Sequence, residues 1–283
     1  MSIEVRAHAG AAAHLGPHRS AKSIAFGTWF VAEHRLRTMR AYLSSIIMGS
    51  VFNPVMYLFA LGVGIGSYID ANSGSHGLGG VSYLSFVGPA LLASAALTVA
   101  FEETSFPVLG GFKWTREFWA MNATPISGRQ VASGVLLAAA IRVVFTVIVF
   151  WCCLVAFGAS PSAYGFLAVP SAILGGLAFG SVIMTVASRL EEDEGWFAMI
   201  NRLIIAPMFL FSGTFFPLES LPVGLRWIGW ISPLWHATQL GRVATFGMKE
   251  PLWLTFGHLA FLSIMLALGL GLSWKSFARR LSK

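Results

Sequence analysis

Apolar residues gather in six windows along the 283-residue chain, at 46–67, 83–101, 132–157, 166–188, 196–216 and 252–274. Each is close to the ~20 residues that a helix needs to cross a bilayer. A segment in lipid must satisfy its own backbone N–H and C=O groups. The pattern therefore predicts an all-α integral membrane protein with six transmembrane helices. Upstream, Ile24, Phe26, Trp29, Phe30, Leu36 and Met39 alternate with Lys22, Glu33, Arg35, Arg37 and Arg40. That amphipathic pattern predicts a helix lying along the membrane surface or, equally, a solvated extension of the first span. Asn72-Ser73-Gly74-Ser75 and Gly158-Ala159-Ser160-Pro161 supply turns between spans. The expected division is a tail and amphipathic helix over residues 1–45, a six-helix domain over 46–274 and a short tail over 275–283.

One interhelical stretch departs from the pattern. Residues 217–248 are crowded with Trp, Phe, Pro and Gly where a polar loop would be ordinary. Phe211-Ser212-Gly213-Thr214-Phe215-Phe216-Pro217-Leu218-Glu219-Ser220-Leu221-Pro222 leads in, and Ile231-Ser232-Pro233-Leu234-Trp235-His236 follows. Pro217, Pro222 and Pro233 rule out one continuous helix. Short re-entrant helices dipping into the outer bilayer face are expected, a backbone arrangement tolerated only where protein or a cavity covers it. Trp227, Trp230 and Trp235 suit an interfacial lid.

Composition removes the soluble classes. The chain is 56% hydrophobic and 11% charged, against roughly 25% charged residues in soluble domains. Its net charge of +7 could suggest nucleic acid, but the basic residues are spread over several interhelical segments. That distribution follows membrane topology and excludes a nucleic-acid partner. With both termini on the cytoplasmic side of a bacterial inner membrane, 14 of the 19 Lys and Arg fall inside and only Arg226, Arg242 and Lys249 fall outside. Residues 1–20 lack the apolar run of a signal peptide, and their His8, His14 and His18 sit in Ala- and Gly-rich surroundings that fix no metal geometry. Cys152 and Cys153 read as packed or lipid-facing thiols.

Several polar positions carry candidate chemistry. Residues 102–129 are too long for a turn, and Lys113-Trp114-Thr115-Arg116-Glu117-Phe118-Trp119-Ala120-Met121-Asn122 suits a short interfacial helix stopped before Pro125. That helix either anchors at the headgroups or projects into a groove on a soluble partner. Arg142 and Arg202 lie inside spans, where a central arginine costs about 2.5 to 3.5 kcal/mol and so faces protein or water. Glu102 and Glu103 are candidate partners for Arg142, and the Glu191-Glu192-Asp193-Glu194 run for Arg202; snorkelling to the cytoplasmic surface is the simpler reading, a cavity-lining role the sharper one. The acidic run itself reads as a solvated turn, because consecutive carboxylates do not converge on a cation. His236 and His258 are isolated in sequence and read as packed or interfacial histidines rather than a proton relay. Gly175, Gly176 and Gly180 form a small-residue face that permits close helix contact, and only weakly marks a dimer seam. No Gly-x-x-x-x-Gly-Lys-Ser/Thr phosphate loop occurs, so ATP hydrolysis by that route is absent from the chain.

The Phe-Ser-Gly…Phe-Pro…Leu-Pro…Pro-Leu string from Phe211 to Leu234, with Ala120-Met121-Asn122-Ala123-Thr124-Pro125-Ile126, resembles the type-2 ABC exporter permeases, the family of nodulation-factor and daunorubicin exporter subunits. The resemblance spans nearly the whole chain. It implies a half-transporter with an amino-terminal connecting helix, a cytoplasmic coupling helix between spans two and three, and outer re-entrant helices between spans five and six. It also implies two separate ATPase subunits, on which ATP and magnesium act, and a second permease protomer, a homodimer being favoured. The coupling residues it points to are Phe118, Trp119, Met121, Thr124 and Pro125, with Glu102 and Glu103 beside them. The outer gate would comprise Phe211, Ser212, Gly213, Phe216, Pro217, Pro222, Pro233 and Trp235.

The expected function is export of an amphipathic molecule, a lipid-linked glycan, glycolipid or hydrophobic drug, powered from outside this chain. Two alternatives come from other classes. An intramembrane hydrolase would use Ser212 with His236 or His258, but the Gly-x-Ser-Gly context and an orienting acid are missing. A gradient-driven carrier would show paired broken helices or buried acids in both halves, and no span contains a mid-membrane Asp or Glu to couple protons.

Overall fold

The computed structural model describes residues 21–73 and 80–282. The tail with His8, His14 and His18, the Gly74-Ser75 half of the first turn and Lys283 lie outside the described residues. All regular structure among the described residues is helical. Helix α1 (Ala21–Met39) passes through a tight turn at Arg40–Tyr42 into α2 (Leu43–Leu58), which continues through a π-helical stretch, Phe59–Gly66, to Ser67–Ser73. Residues 25–72 thus form one apolar helical run of 48 residues. The surface helix and the first span are joined rather than separated by a loop, and α1 packs its Val31 and Ala32 against the first half of the third span.

Helix α3 (Tyr83–Thr104) starts on a Ser82 cap and ends where Ser105 leaves helical geometry ahead of Pro107. Two short helices follow, α4 (Phe106–Lys113) and α5 (Glu117–Asn122), separated by Arg116 in the left-handed region. Helix α6 (Gly128–Ala156) begins with a Ser127/Gln130 capping box that satisfies free N–H groups at its start. Helix α7 (Ala168–Ala187) precedes α8, built from Trp196–Ile200, a π segment Asn201–Ile205 and Ala206–Phe211. Then come α9 (Val223–Trp230), α10 (Pro233–Phe246) and α11 (Leu252–Leu281).

Among the described residues, five helical runs are long and apolar enough to cross a membrane. The fifth expected span, α8, is shorter: Trp196–Phe211 extends about 24 Å, against the ~30 Å hydrocarbon core. Its C-terminal end turns away at Ser212 and Gly213 instead of running on to 216.

Helix α3 is the central element. Its apolar window is 78% buried, against 22% for the α1–α2 run and 17% for α11. It lies between α6, α7 and α10. The approach to α7 is set by Gly176, where a Cβ would sit 2.8 Å from the Ala96 carbonyl oxygen. The small-residue face expected from Gly175, Gly176 and Gly180 is therefore used inside the chain, against Ala96 and Ala100 of α3 and Ala237 of α10. It does not mark a seam between copies.

Candidate functional site

Two ends of the bundle are distinguished by what they carry. The basal end holds α5, the α7–α8 turn and the C-terminus of α11, since Asn122 Nδ2 donates to the Leu281 carbonyl at 3.2 Å. The distal end holds α9, α10 and the α6–α7 connection, since Ser162 N–H donates to the Thr245 carbonyl at 2.8 Å.

At the basal end α5 is too short to be stable alone and is fixed by packing. Phe118 is fully buried between Phe112 and Phe277, with ring centroids 4.9 and 5.6 Å away. Trp119 is half-buried and its indole N–H donates to the Phe112 carbonyl at 3.1 Å. Both residues hold α5 from inside. Ala120, Ala123 and Thr124 form the exposed surface, while Met121 and Pro125 are half-buried.

An unbroken run of ion pairs starts at the same helix. Glu117 Oε1 is 3.2 Å from Arg35 Nη1 on α1, with His34 Nε2 3.3 Å from its other oxygen. Arg35 Nη2 reaches Glu103 Oε2 on α3 at 3.9 Å. Glu103 also accepts from Arg142 of α6, whose Nη2 donates to Glu102 Oε2 at 2.7 Å. Arg142 is thus bound by the two acids expected for it. Arg202 on α8 is exposed and has no ion pair among the described residues; of the acidic run, Glu192 pairs instead with Lys113 at 2.6 Å, and Asp193 Oδ1 accepts from the Phe197 N–H at 3.2 Å.

Glu102 and Arg142 open onto a cavity of 480 Å³ between α2, α3, α6 and α8. Ser45, Ser50, Asn53, Tyr57, Ser94, Thr98 and Thr146 put polar groups on an otherwise apolar wall, and Ser50 Oγ and Thr146 Oγ1 lie 3.0 Å apart. The helices on two sides, α2 and α8, are the two that contain π segments. Such segments insert an extra residue in a turn and re-aim the side chains around it.

The distal end is an aromatic cap. Leu218, Leu221 and Trp235 are buried together, with Phe211 and Phe216 packed against them. Ser212 Oγ donates to Ser232 Oγ at 2.7 Å, and Ser232 caps α10 ahead of Pro233. Gly213 takes φ +70°, the left-handed turn that a side chain disfavours, and its carbonyl accepts from Arg242 Nη2 at 2.6 Å. Arg242, read from the sequence as an outside charge, is 2% exposed. Its Nε donates to the Phe86 carbonyl at 3.2 Å, its guanidinium lies 3.7 Å over the Phe86 ring, and Gln239 Oε1 completes its shell. Trp227 and Trp230 stay exposed, as does Pro222, while Pro217 is half-buried.

His236 and His258 are not isolated: their Nδ1 atoms lie 2.6 Å apart. No signal in the sequence links them, since they sit on different helices. Ser212 hydrogen-bonds to Ser232 and, among the described residues, to neither histidine, so the nucleophile–base contact that a hydrolase needs is not made.

A chain whose described residues hold five membrane-length apolar helices, a polar cavity tied by ion pairs to a basal helix, and a proline-broken aromatic cap is an integral membrane protein of the transport-permease class. It belongs to the ABC-2 type transporter family, whose model matches residues 28–246. The chain is similar to nodulation protein J of Rhizobium leguminosarum bv. viciae, 29% identical over 244 residues that cover 86% of this chain and 90% of the relative. It is likewise similar to nodulation protein J of Neorhizobium galegae, 30% identical over 240 residues, 84% of this chain and 87% of the relative.

Proposed function

We propose that the chain is the membrane subunit of an ATP-driven exporter in a bacterial cytoplasmic membrane, moving an amphipathic molecule from the inner leaflet outward. The observation that carries this reading is the ion-pair run from α5 to the cavity. Glu117, Arg35, Glu103 and Arg142 join the basal surface to the cavity wall through four helices. A displacement of α5 is thereby felt at the cavity without any covalent rearrangement, as rigid-body motion of packed elements. Separate ATPase subunits, holding ATP and magnesium, would dock on the exposed Ala120–Thr124 surface at the cytoplasmic side. Glu102 and Glu103 would pass on the motion while Phe118, Trp119, Met121 and Pro125 keep α5 in place.

Two copies are needed for a closed pathway. Asn201 and Arg202 are exposed on apolar α8, and a charge facing lipid within a span costs about 2.5 to 3.5 kcal/mol. A second copy on the α2 and α8 side covers them, with α8 completing the sixth crossing through the following turn; membrane lipids cover the remaining apolar faces. The cap from Phe211 to Trp235 then closes the outer end. A gradient-driven carrier fits less well, because the acid on the cavity wall, Glu102, is held in an ion pair with Arg142.

The test is co-purification from the native host in mild detergent, followed by ATPase assay in lipid nanodiscs. The expected result is stoichiometric co-elution of an ATPase, lost in Ala120→Arg while the variant chain itself remains monodisperse. A wild-type chain that elutes without an ATPase at every salt concentration overturns the reading.

A further inference from the structure

The distal end holds a buried chain of ionisable groups that the coupling path does not use. His236 Nε2 lies 3.0 Å from the Trp230 carbonyl oxygen, the two Nδ1 atoms of His236 and His258 face each other, and His258 Nε2 lies 2.8 Å from Glu250 Oε1. Thr255 Oγ1 donates to the other Glu250 oxygen at 3.1 Å. His258 has no exposed surface, His236 retains 8%, and the Glu250 side chain 5%. Phe261 stacks on His236 at 3.9 Å between ring centroids, and Trp235 stands edge-on to both imidazoles.

The partners fix the proton count. A carbonyl only accepts, so His236 Nε2 carries a proton. Two facing Nδ1 atoms need one proton between them, and the contact with Glu250 needs another. Three protons are one more than two neutral imidazoles and a carboxylate hold, so the group is net neutral with every contact made. Losing a proton sets lone pair against lone pair at one contact. Gaining one sets N–H against N–H between the rings. Either leaves a buried polar atom unpaired.

We propose that His236, His258 and Glu250 form a proton-binding site that latches α10 to the start of α11, so that closure of the aromatic cap follows the pH of the compartment it faces. The latch joins the last turn of α9 (Trp230), the first turn of α10, the 247–251 linker and the second turn of α11. Other ionisable groups at the distal ends of the surrounding elements are Glu219, Arg226, Arg242, Lys249, Tyr83, Tyr164, Asp70, Cys152 and Cys153; Glu102, Glu103, Arg129, Arg142, Lys275, Arg279 and Arg280 sit on the basal halves of α3, α6 and α11, and α7 has none. Arg242 and Arg226 are bound to backbone carbonyls, and Asp70 accepts from the Tyr83 N–H. The hydrogen bonds within the site run only among His236, His258, Glu250, Thr255 and the Trp230 carbonyl, so its protons are shared within one connected group.

The experiment places spin labels at Gly224→Cys on α9 and Gly257→Cys on α11, positions where a Cβ meets nothing within 4 Å. Cys152 and Cys153 are replaced by serine, and the full chain is reconstituted in lipid nanodiscs. Pulsed electron spin resonance then reads the distance distribution at external pH from about 4 to about 9. The expected result is one narrow population near neutral pH, lost toward both extremes, and no pH dependence in Glu250→Gln or His258→Gln. A distribution unchanged across pH in the chain with an intact site overturns the proposal, and that outcome does not depend on any substitution in the latch. So does a Glu250→Gln profile that tracks the parent. The readout needs no ATP and no substrate, so failure of the exporter reading leaves it intact.

Discussion

The two ends of the bundle solve the same problem, holding short helices in place, with different interactions. The basal end uses charge: Arg35 and Arg142 are shared among Glu102, Glu103 and Glu117. The distal end uses directional hydrogen bonds to carbonyls and shared protons, and its buried Arg242 has no carboxylate among its hydrogen-bond partners. The two respond differently to movement. A Coulomb interaction stretched from 3 to 4 Å keeps about three-quarters of its energy, whereas a hydrogen bond at ~3.6 Å is no longer one. The basal network stays engaged while its helices shift, which suits transmission. The distal contacts are either made or broken, which suits a gate.

The basal network depends most on Glu103, which bridges both arginines at 8% side-chain exposure. Glu103→Gln leaves a buried cation short of a partner, and the expected loss is about 3 to 5 kcal/mol, read as a lower melting temperature of the purified chain. ATPase stimulation by the membrane subunit falls with it. Next in size is Arg242→Met, which keeps the apolar stem but strips the Phe86 and Gly213 carbonyls of their donor. About 2 to 3 kcal/mol is expected from bonds to a charged group, with the loss insensitive to salt because no ion pair is broken. A loss at Arg242 that shrinks as salt rises would show that the distal end also relies on charge.

How much of this was legible in the sequence depends on the distance over which each feature is written. Membrane-length runs, the broken 217–248 stretch and the pairing of Arg142 with Glu102 and Glu103 follow from hydropathy, proline positions and the cost of a bare charge. The continuity of α1 with α2 was one of two readings the sequence left open, because the polar Arg35–Arg40 segment looks like a boundary; the structure joins them in one run packed on α6. The shortness of α8 was not legible, because its apolar window runs on into a turn built around Gly213. The Arg35–Glu117 pair joins residues 82 apart, and the His236–His258 contact joins different helices, so neither leaves a local pattern. Phe118 and Trp119 were readable as members of a short helix at the membrane surface. Which way they face was not, since six residues make fewer than two turns and give no stable apolar stripe.

The smallest expected effect tests whether charge or burial makes the basal end strong. Lys113 and Glu192 tie α4 to the α7–α8 turn at 2.6 Å, on the exposed surface of the same end. The ammonium holds the Glu192 carboxyl below its ordinary value, by hydrogen bonding first and by charge second. A depressed acid contributes above its unfolded pKa, and that contribution is lost as pH falls through the lowered folded value. Water and salt screen the pair, so Glu192→Gln should leave the melting temperature at neutral pH almost unchanged, and what small difference exists should vanish on acidification and in high salt. Both this pair and the Glu103 cluster consist of arginine or lysine with glutamate, so the contrast between them isolates burial. Were Glu192→Gln to lower the melting temperature as far as Glu103→Gln, the ion-pair run could not owe its strength to its position between α1, α3 and α6, and the argument that it transmits motion to the cavity would lose its physical basis.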